Sequence, residues 1–217
     1  MARNKHPEET KQRIMEIAFR LFMEQGYEHT TIQDIVDALG MSKGAIYHHF
    51  KTKEEILNEL TESNIGEVDW FSGILNDKSL NGLQKLKRLF YIQLSDEKKL
   101  AMDKVMLPIL KNPRVVANQI GDAVENIAPM LAKILRIGIE DGSITTDYPD
   151  EAAQVLILLA NLWINPGLFP VEKDAFMRKI AFYGRLCDSI GIPLIDDTLI
   201  AVCSDYYDTT RPAVKKA

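Results

Sequence analysis

Between Ile32 and Phe50 only three residues, Gly40-Met41-Ser42, separate two short apolar stripes. Ile32, Ile35, Val36 and Leu39 recur at i, i+3, i+4 and i+7, the period of one helix face. Gly40 offers a left-handed stop. Ser42 is a good N-cap for a second helix from Lys43 to about His49. Two short helices joined by a tight glycine-containing turn form the helix-turn-helix signature. A preceding stripe, Ile14, Ile17, Ala18, Leu21 and Phe22, predicts another helix, stopped at Gly26. Thr30 with Gln33 has capping-box spacing, and so does Thr31 with Asp34 in a weaker form.

The helical period continues through the remaining residues. Thr52 with Glu55 is a further capping box. It opens a long fourth helix with the stripe Ile56, Leu57, Leu60, Val68, Phe71 and Leu75. Helical segments are predicted over 82–95, 97–111, 114–141, 149–164, Asp174–Ile190 and Leu194–Tyr207. Pro108 and Pro129 are expected to kink or divide their segments, although Pro129 suits a helix N1 position equally. No alternating strand pattern is present, so the fold class is all-α. Thr209–Ala217 reads as a flexible tail. The densest apolar run, Val155–Ile164, is shorter than the ~20 residues that cross a bilayer, so no membrane partner is expected. Met1–Thr10 has no apolar run of the signal-peptide type. Cys187 and Cys203 form no C-x-x-C pair, so neither a metal site nor a redox pair is suggested. A cytoplasmic protein with reduced thiols and no cofactor is the expectation.

Charge argues first against, then for, a nucleic-acid partner. The 217 residues carry a net −5, whereas nucleic-acid-binding domains are usually basic. Divided at residue 53, the first part carries +1 and the remainder −6. Within 41–53, Lys43, Lys51 and Lys53 stand without a carboxylate. On a helical wheel Ile46 and Phe50 point inward. His48 centres the outer face, with Gly44 and Ala45 beside it and Tyr47 and His49 flanking. A helix that reads base edges needs small residues where it approaches the groove and long donors around them. Adjacent histidines point ~100° apart on a helix, so His48 and His49 do not suit one metal ion.

The run TTIQDIVDALGMSKGAIYHHFKTKEEIL, residues 30–57, closely resembles the N-terminal domain of TetR-family transcriptional regulators. The preceding AFRLFMEQGYEHT, residues 18–30, resembles that family's first helix and its Gly-Tyr junction. The resemblance covers about residues 8–60. It implies a three-helix DNA-binding domain over 1–53 and a long helix leading to a ligand-binding and dimerisation domain over 54–208. It also implies a homodimer on palindromic double-stranded DNA, a repressor released by a small-molecule effector, and no enzymatic activity. Carried over by position, DNA contacts fall on Thr31, Gln33, Ser42, Lys43, Gly44, Ala45, Tyr47, His48, His49 and Lys53. Tyr47, His49 and Lys53 are then mostly phosphate ligands. Gln33, Lys43, Gly44, Ala45 and His48 are the more base-facing positions.

Beyond residue 60 the resemblance is architectural only. Trp70, Phe71, Phe90, Tyr91, Met102, Met106, Met130 and Trp163 are candidate pocket residues, with ordinary core packing as the alternative. Leu159 and the stripe Phe176, Ile180, Tyr183, Gly184 and Cys187 are candidate dimer residues, with internal packing as the alternative. Two other function classes stay open: a helical protein-interaction module, or an enzyme without DNA binding. Against an enzyme, all four histidines lie before residue 50. No nucleophile triad, paired carboxylate or phosphate-cradling glycine loop presents itself.

Overall fold

A computed structural model describes residues 7–65, 69–106, 110 and 113–210. Twelve helices and no strand occur among the described residues. They fall into two compact units, Met1–Val68 and Asp69–Ala217.

The first unit contains α1 (Pro7–Gln25), α2 (Ile32–Leu39), α3 (Lys43–His49) and α4 (Lys53–Ile65). Ile14, Ala18 and Phe22 of α1, Ile35 and Val36 of α2, Ile46 of α3, and Ile56, Leu57 and Leu60 of α4 are buried. These are the inward members of the predicted stripes, so burial of apolar area drives the arrangement. Turn chemistry sets the corners. Gly40 sits at φ +63°, and its N–H and that of Met41 both reach the Val36 carbonyl, closing α2. The capping box at the start of α2 belongs to Thr31 and Asp34. Thr30 does not take part in it. It is buried, and its hydroxyl donates to the Gly26 carbonyl at 2.8 Å. At α4 the Thr52 hydroxyl accepts from Glu55 N–H at 3.1 Å, while the Glu55 carboxylate turns back to Lys51 N–H. The expected reciprocal box is therefore displaced by one residue. Lys11 of α1 pairs with Glu59 of α4 at 2.5 Å and so links two helices.

The second unit contains α5 (Asp69–Asn76), α6 (Gly82–Ser95), α7 (Glu97–Met106), α8 (Pro113–Asp122), α9 (Ala128–Glu140), α10 (Pro149–Leu158), α11 (Lys173–Ser189) and α12 (Asp197–Thr210). Pro108 lies outside the described residues. Pro129 does not break its segment. A five-residue π-turn, Ala123–Ile127, joins α8 to α9, and Pro129 enters in the first turn of α9. The wide turn shifts the hydrogen-bond register where a proline has no N–H to give. A second π-turn, Leu159–Trp163, follows α10. Helix α12 extends to Thr210, whose buried hydroxyl donates to the Tyr206 carbonyl at 2.7 Å. Thr209 and Thr210 are thus helical rather than part of a flexible tail.

The core of this unit gathers Leu86 of α6, Leu131 and Leu135 of α9, Leu156 of α10, Phe176 and Tyr183 of α11, and Tyr207 of α12. Cys187 and Cys203 are free and buried in it. Burial pushes the Cys187 thiol up to about 12 and that of Cys203 up to about 11, so neither forms a reactive thiolate near neutrality. No described helix is long and apolar enough to cross a membrane.

Candidate nucleic-acid interface

The tight Gly40–Ser42 corner places α3 with one side against the first unit's core and the other open to solvent. Ile46 and Phe50 are buried. Ser42, Lys43, Gly44, Tyr47 and His48 are exposed, while Ala45 and His49 are half-buried. The Ser42 hydroxyl accepts from Ala45 N–H at 3.3 Å and so fixes the first turn of α3. Nothing lies within 4 Å of the place where a Cβ on Gly44 would stand. That turn is an unobstructed backbone surface with Lys43 and His48 at its sides.

Two cations are partly engaged on this side of the unit. The Lys43 ammonium lies 5.9 Å from the centre of the Tyr47 ring. Lys51 donates to the Tyr47 carbonyl at 2.9 Å, so it neutralises the C-terminal end of α3. The rings of His48 and His49 meet edge-on, 5.4 Å apart. Burial, followed by repulsion from His48, holds the His49 imidazolium below its ordinary pKa; Glu8 opposes this and Lys11 adds to it. The unfolded chain therefore takes up this proton more readily than the folded one. Stability of the first unit accordingly falls as pH drops below the ordinary histidine range of about 6.5.

Thr31 and Gln33 are exposed at the start of α2. Thr31 is the N-cap, with Asp34 Oδ2 accepting from its N–H at 2.7 Å. Gln33 donates to Asp37 at 2.8 Å. These residues lie on the helix that immediately precedes the turn to α3. Lys53 departs from the expected arrangement. Its ammonium donates to the carbonyls of Tyr27 at 2.5 Å and Thr30 at 2.9 Å, and rests 4.1 Å from the centre of the Tyr27 ring. Two of its three N–H donors are turned into the protein. The sequence offered no signal for this, because a lysine at a helix start reads the same whether it faces solvent or a turn.

Of the five candidate pocket residues whose side chains are described, four lie in or against one core. Phe71 is buried in the core of the second unit, and Phe90, Met130 and Trp163 are half-buried against that core. Tyr91 is exposed and lines an open groove with Arg88, Ser95, Asp96 and Lys98. The side chains of Trp70, Met102 and Met106 lie outside the described residues.

The candidate dimer stripe lies inside the unit. Phe176, Ile180, Tyr183 and Cys187 are at most 4% exposed, and the Tyr183 hydroxyl donates to the Leu156 carbonyl at 3.2 Å. Gly184 does permit a close approach, but its neighbour is Ile195 of the same chain, 3.0 Å from the position of a Cβ. This stripe is core, because its apolar face is consumed by α10 and α12. The outer side of α11 instead shows Phe182, 59% exposed, edge-on to Trp163 at 5.8 Å. Val155 and Phe169 are also exposed, at 47% and 52%. Leu159 is half-buried. Among the described residues no group of three metal-ligating side chains is present.

Comparisons with known proteins agree on the first unit. Residues 14–60 match the family described as bacterial regulatory proteins, tetR family. Over 65 residues the chain is 46% identical to the HTH-type transcriptional regulator AcrR of Shigella flexneri, covering 29% of this chain and 30% of that protein. It is 26% identical over 164 residues to the HTH-type transcriptional repressor KstR2 of Rhodococcus jostii, 71% of this chain and 79% of that protein. For AcrR the alignment thus spans about a third of the relative's length. The fold extends further than the close identity. A transcriptional regulator from Saccharomonospora viridis, solved in complex with choline, superimposes with a TM-score of 0.57 at 21% identity, covering 92% of this chain and 96% of that one.

Proposed function

We propose that the chain, whose residues 14–60 match the tetR family of bacterial regulatory proteins, is a DNA-binding transcriptional repressor whose operator affinity is set by a small molecule. The observation that carries the proposal is the free surface of α3. It has an unobstructed first turn at Gly44, Lys43, Tyr47 and His48 exposed around it, and no carboxylate between residues 41 and 53.

The first turn of α3 enters the major groove, with Gly44 and Ala45 at the base edges and Lys43 and His48 donating to them. Tyr47, Ser42 and Thr31 at the exposed start of α2 hold the phosphates on either side and set register, and Gln33 beside Thr31 faces base edges. The functional form is a homodimer on a palindrome, with the two copies of α3 about one DNA turn, ~34–36 Å, apart. An effector in the second unit, among residues such as Phe90, Met130 and Trp163, releases the operator by favouring the conformation that does not bind DNA. A preference of a few kcal/mol is sufficient. The choline found in the S. viridis regulator supports a small molecule as the class of effector.

The direct test begins with a duplex enriched from a randomised library by the full-length chain. Changing Lys43 and Tyr47 together to alanine is expected to weaken binding to that duplex by about 100-fold and to reduce the salt dependence, since Lys43 brings a cation to the DNA and so releases counterions. Unchanged affinity in a fluorescence-anisotropy titration overturns the assigned face. Failure to enrich any duplex favours the protein-interaction reading.

The dimer face is assigned to the exposed side of α10 and α11, because Val155, Phe169 and Phe182 are about half exposed or more and present large apolar surface. Phe182→Arg is expected to convert the dimer to a monomer in sedimentation velocity while helical content is retained. A dimer of wild-type affinity in that variant places the interface elsewhere.

A further inference from the structure

The ammonium of Lys53 joins three elements of the first unit. Lys53 opens α4. Its two carbonyl partners, Tyr27 and Thr30, belong to the turn between α1 and α2. That turn begins at Gly26, φ +86°, and is closed by Thr30 N–H on the Gly26 and Tyr27 carbonyls, both at 3.2 Å. Thr30 is 1% exposed and Tyr27 is 4% exposed, so the turn is held within the unit. The Thr30 carbonyl belongs to the peptide leading into Thr31, the N-cap of α2. Whatever fixes that peptide fixes where the exposed first turn of α2 begins.

A charge-assisted hydrogen bond is about twice as strong as a neutral one. Two of them, with the ammonium over the Tyr27 ring, hold Lys53 in one place. A phosphate ligand directs its ammonium outward, and here two of the three N–H donors are turned into the protein. Lys51, two residues earlier, is exposed, with its ammonium on the carbonyl at the end of α3.

We propose that Lys53 is a positioning residue for DNA recognition: it ties the start of α4 to the Tyr27–Thr31 turn and thereby sets Thr31 and the first turn of α2, rather than binding phosphate itself. The proposal rests on the DNA-binding function proposed for the chain and specifies how one residue serves it. Lys53 acts at a distance through the backbone it holds, so its loss changes the geometry of the interface without removing a group that touches DNA.

The test uses the full-length chain and three variants, Lys53→Met, Lys53→Arg and Lys43→Ala. Peptide-level hydrogen exchange reads the clamp without DNA. Lys53→Met is expected to exchange at least tenfold faster over residues 27–36, Lys53→Arg to restore much of the protection, and Lys43→Ala to leave it unchanged. Affinity for the enriched duplex is then measured over a range of salt, well below each variant's melting midpoint. Lys53→Met is expected to bind about tenfold more weakly with the slope of log K against log salt unchanged. Lys43→Ala lowers that slope. Unchanged exchange in Lys53→Met, together with a slope reduced by about 0.9 for each phosphate no longer neutralised, overturns the proposal in favour of a direct phosphate ligand. Affinity unchanged in the folded Lys53→Met variant also overturns it, since the clamp is then structural only. A wild-type chain that enriches no duplex overturns the DNA-binding function, and the exchange result alone then decides the clamp.

Discussion

Gly82→Ala is expected to remove about 3 kcal/mol or more of the stability of the second unit. A Cβ on Gly82 would stand 2.1 Å from the backbone nitrogen of Gly138 and 2.2 Å from its Cα. Both obstacles are main chain, so no rotamer change makes room. Helix α6 must draw away from α9. Forcing atoms into a packed core typically costs about 1–3 kcal/mol, and here the retreat has a second consequence. Gly82 N–H donates to Asp141 at 2.6 Å and Leu83 N–H to the Ser143 hydroxyl at 3.1 Å, so the turn after α9 satisfies the first two N–H groups of α6 beside the Asn81–Gln84 capping box. Losing a cap costs about 1 kcal/mol more. Bonds from Ser143 and from Gly82 N–H hold the Asp141 carboxyl below its usual range, consistent with an ionised cap. Nor can α9 yield at the crossing. A Cβ on Gly138 itself would lie 2.5 Å from the Ile144 side chain, so that side of α9 is already filled. Gly73→Ala is the control, since no atom lies within 4 Å of its Cβ position. Urea denaturation checks both. Equal midpoints for the wild type and Gly82→Ala overturn the account of the α6–α9 crossing.

The largest expected effect on DNA binding comes from another glycine, with the opposite sign on stability. Gly44 lies in the first turn of α3 with open space around its Cβ position. Gly44→Ala is expected to stabilise the first unit by about 0.5–1 kcal/mol, because alanine loses less backbone freedom in a helix. Gly44→Leu is expected to fold as well as the wild type. Yet, on the proposed function, its side chain would stand where the helix backbone meets the floor of the major groove. Operator affinity is expected to fall by about 100-fold, which is about 2.7 kcal/mol. Rising stability with falling affinity separates a steric block on DNA from any fault in folding. A Gly44→Leu variant that binds the enriched duplex as the wild type does removes α3 from the groove.

Much of the first unit is readable from local sequence because its information is local. Gly40 ends α2 with positive φ, Ser42 caps α3, and the inward stripe residues follow from a period of 3.6. The free face of α3 follows too, once Ile46 and Phe50 are assigned inward. Most segments of the second unit are equally legible, since 82–95 and 114–141 need only period and punctuation. The π-turn before Pro129 is not. A proline in a helical stretch announces a disturbance, but whether the chain kinks, restarts or widens by one residue depends on what packs against it.

The sequence by itself determined the helical class, the open face of α3 and the acidic balance beyond residue 53, because periodicity, caps and charge are properties of consecutive residues. Tertiary structure decided where the reach of long side chains is spent and which apolar face remains free. Lys53 is cationic in either reading, but only the nearness of the Tyr27 and Thr30 carbonyls turns it inward. Phe176, Ile180 and Tyr183 form an apolar stripe in either reading, but only the positions of α10 and α12 consume it and leave Phe182 outside. A stripe says that a helix has something to bury. Which neighbour buries it is settled by residues far along the chain, and no local period carries that information.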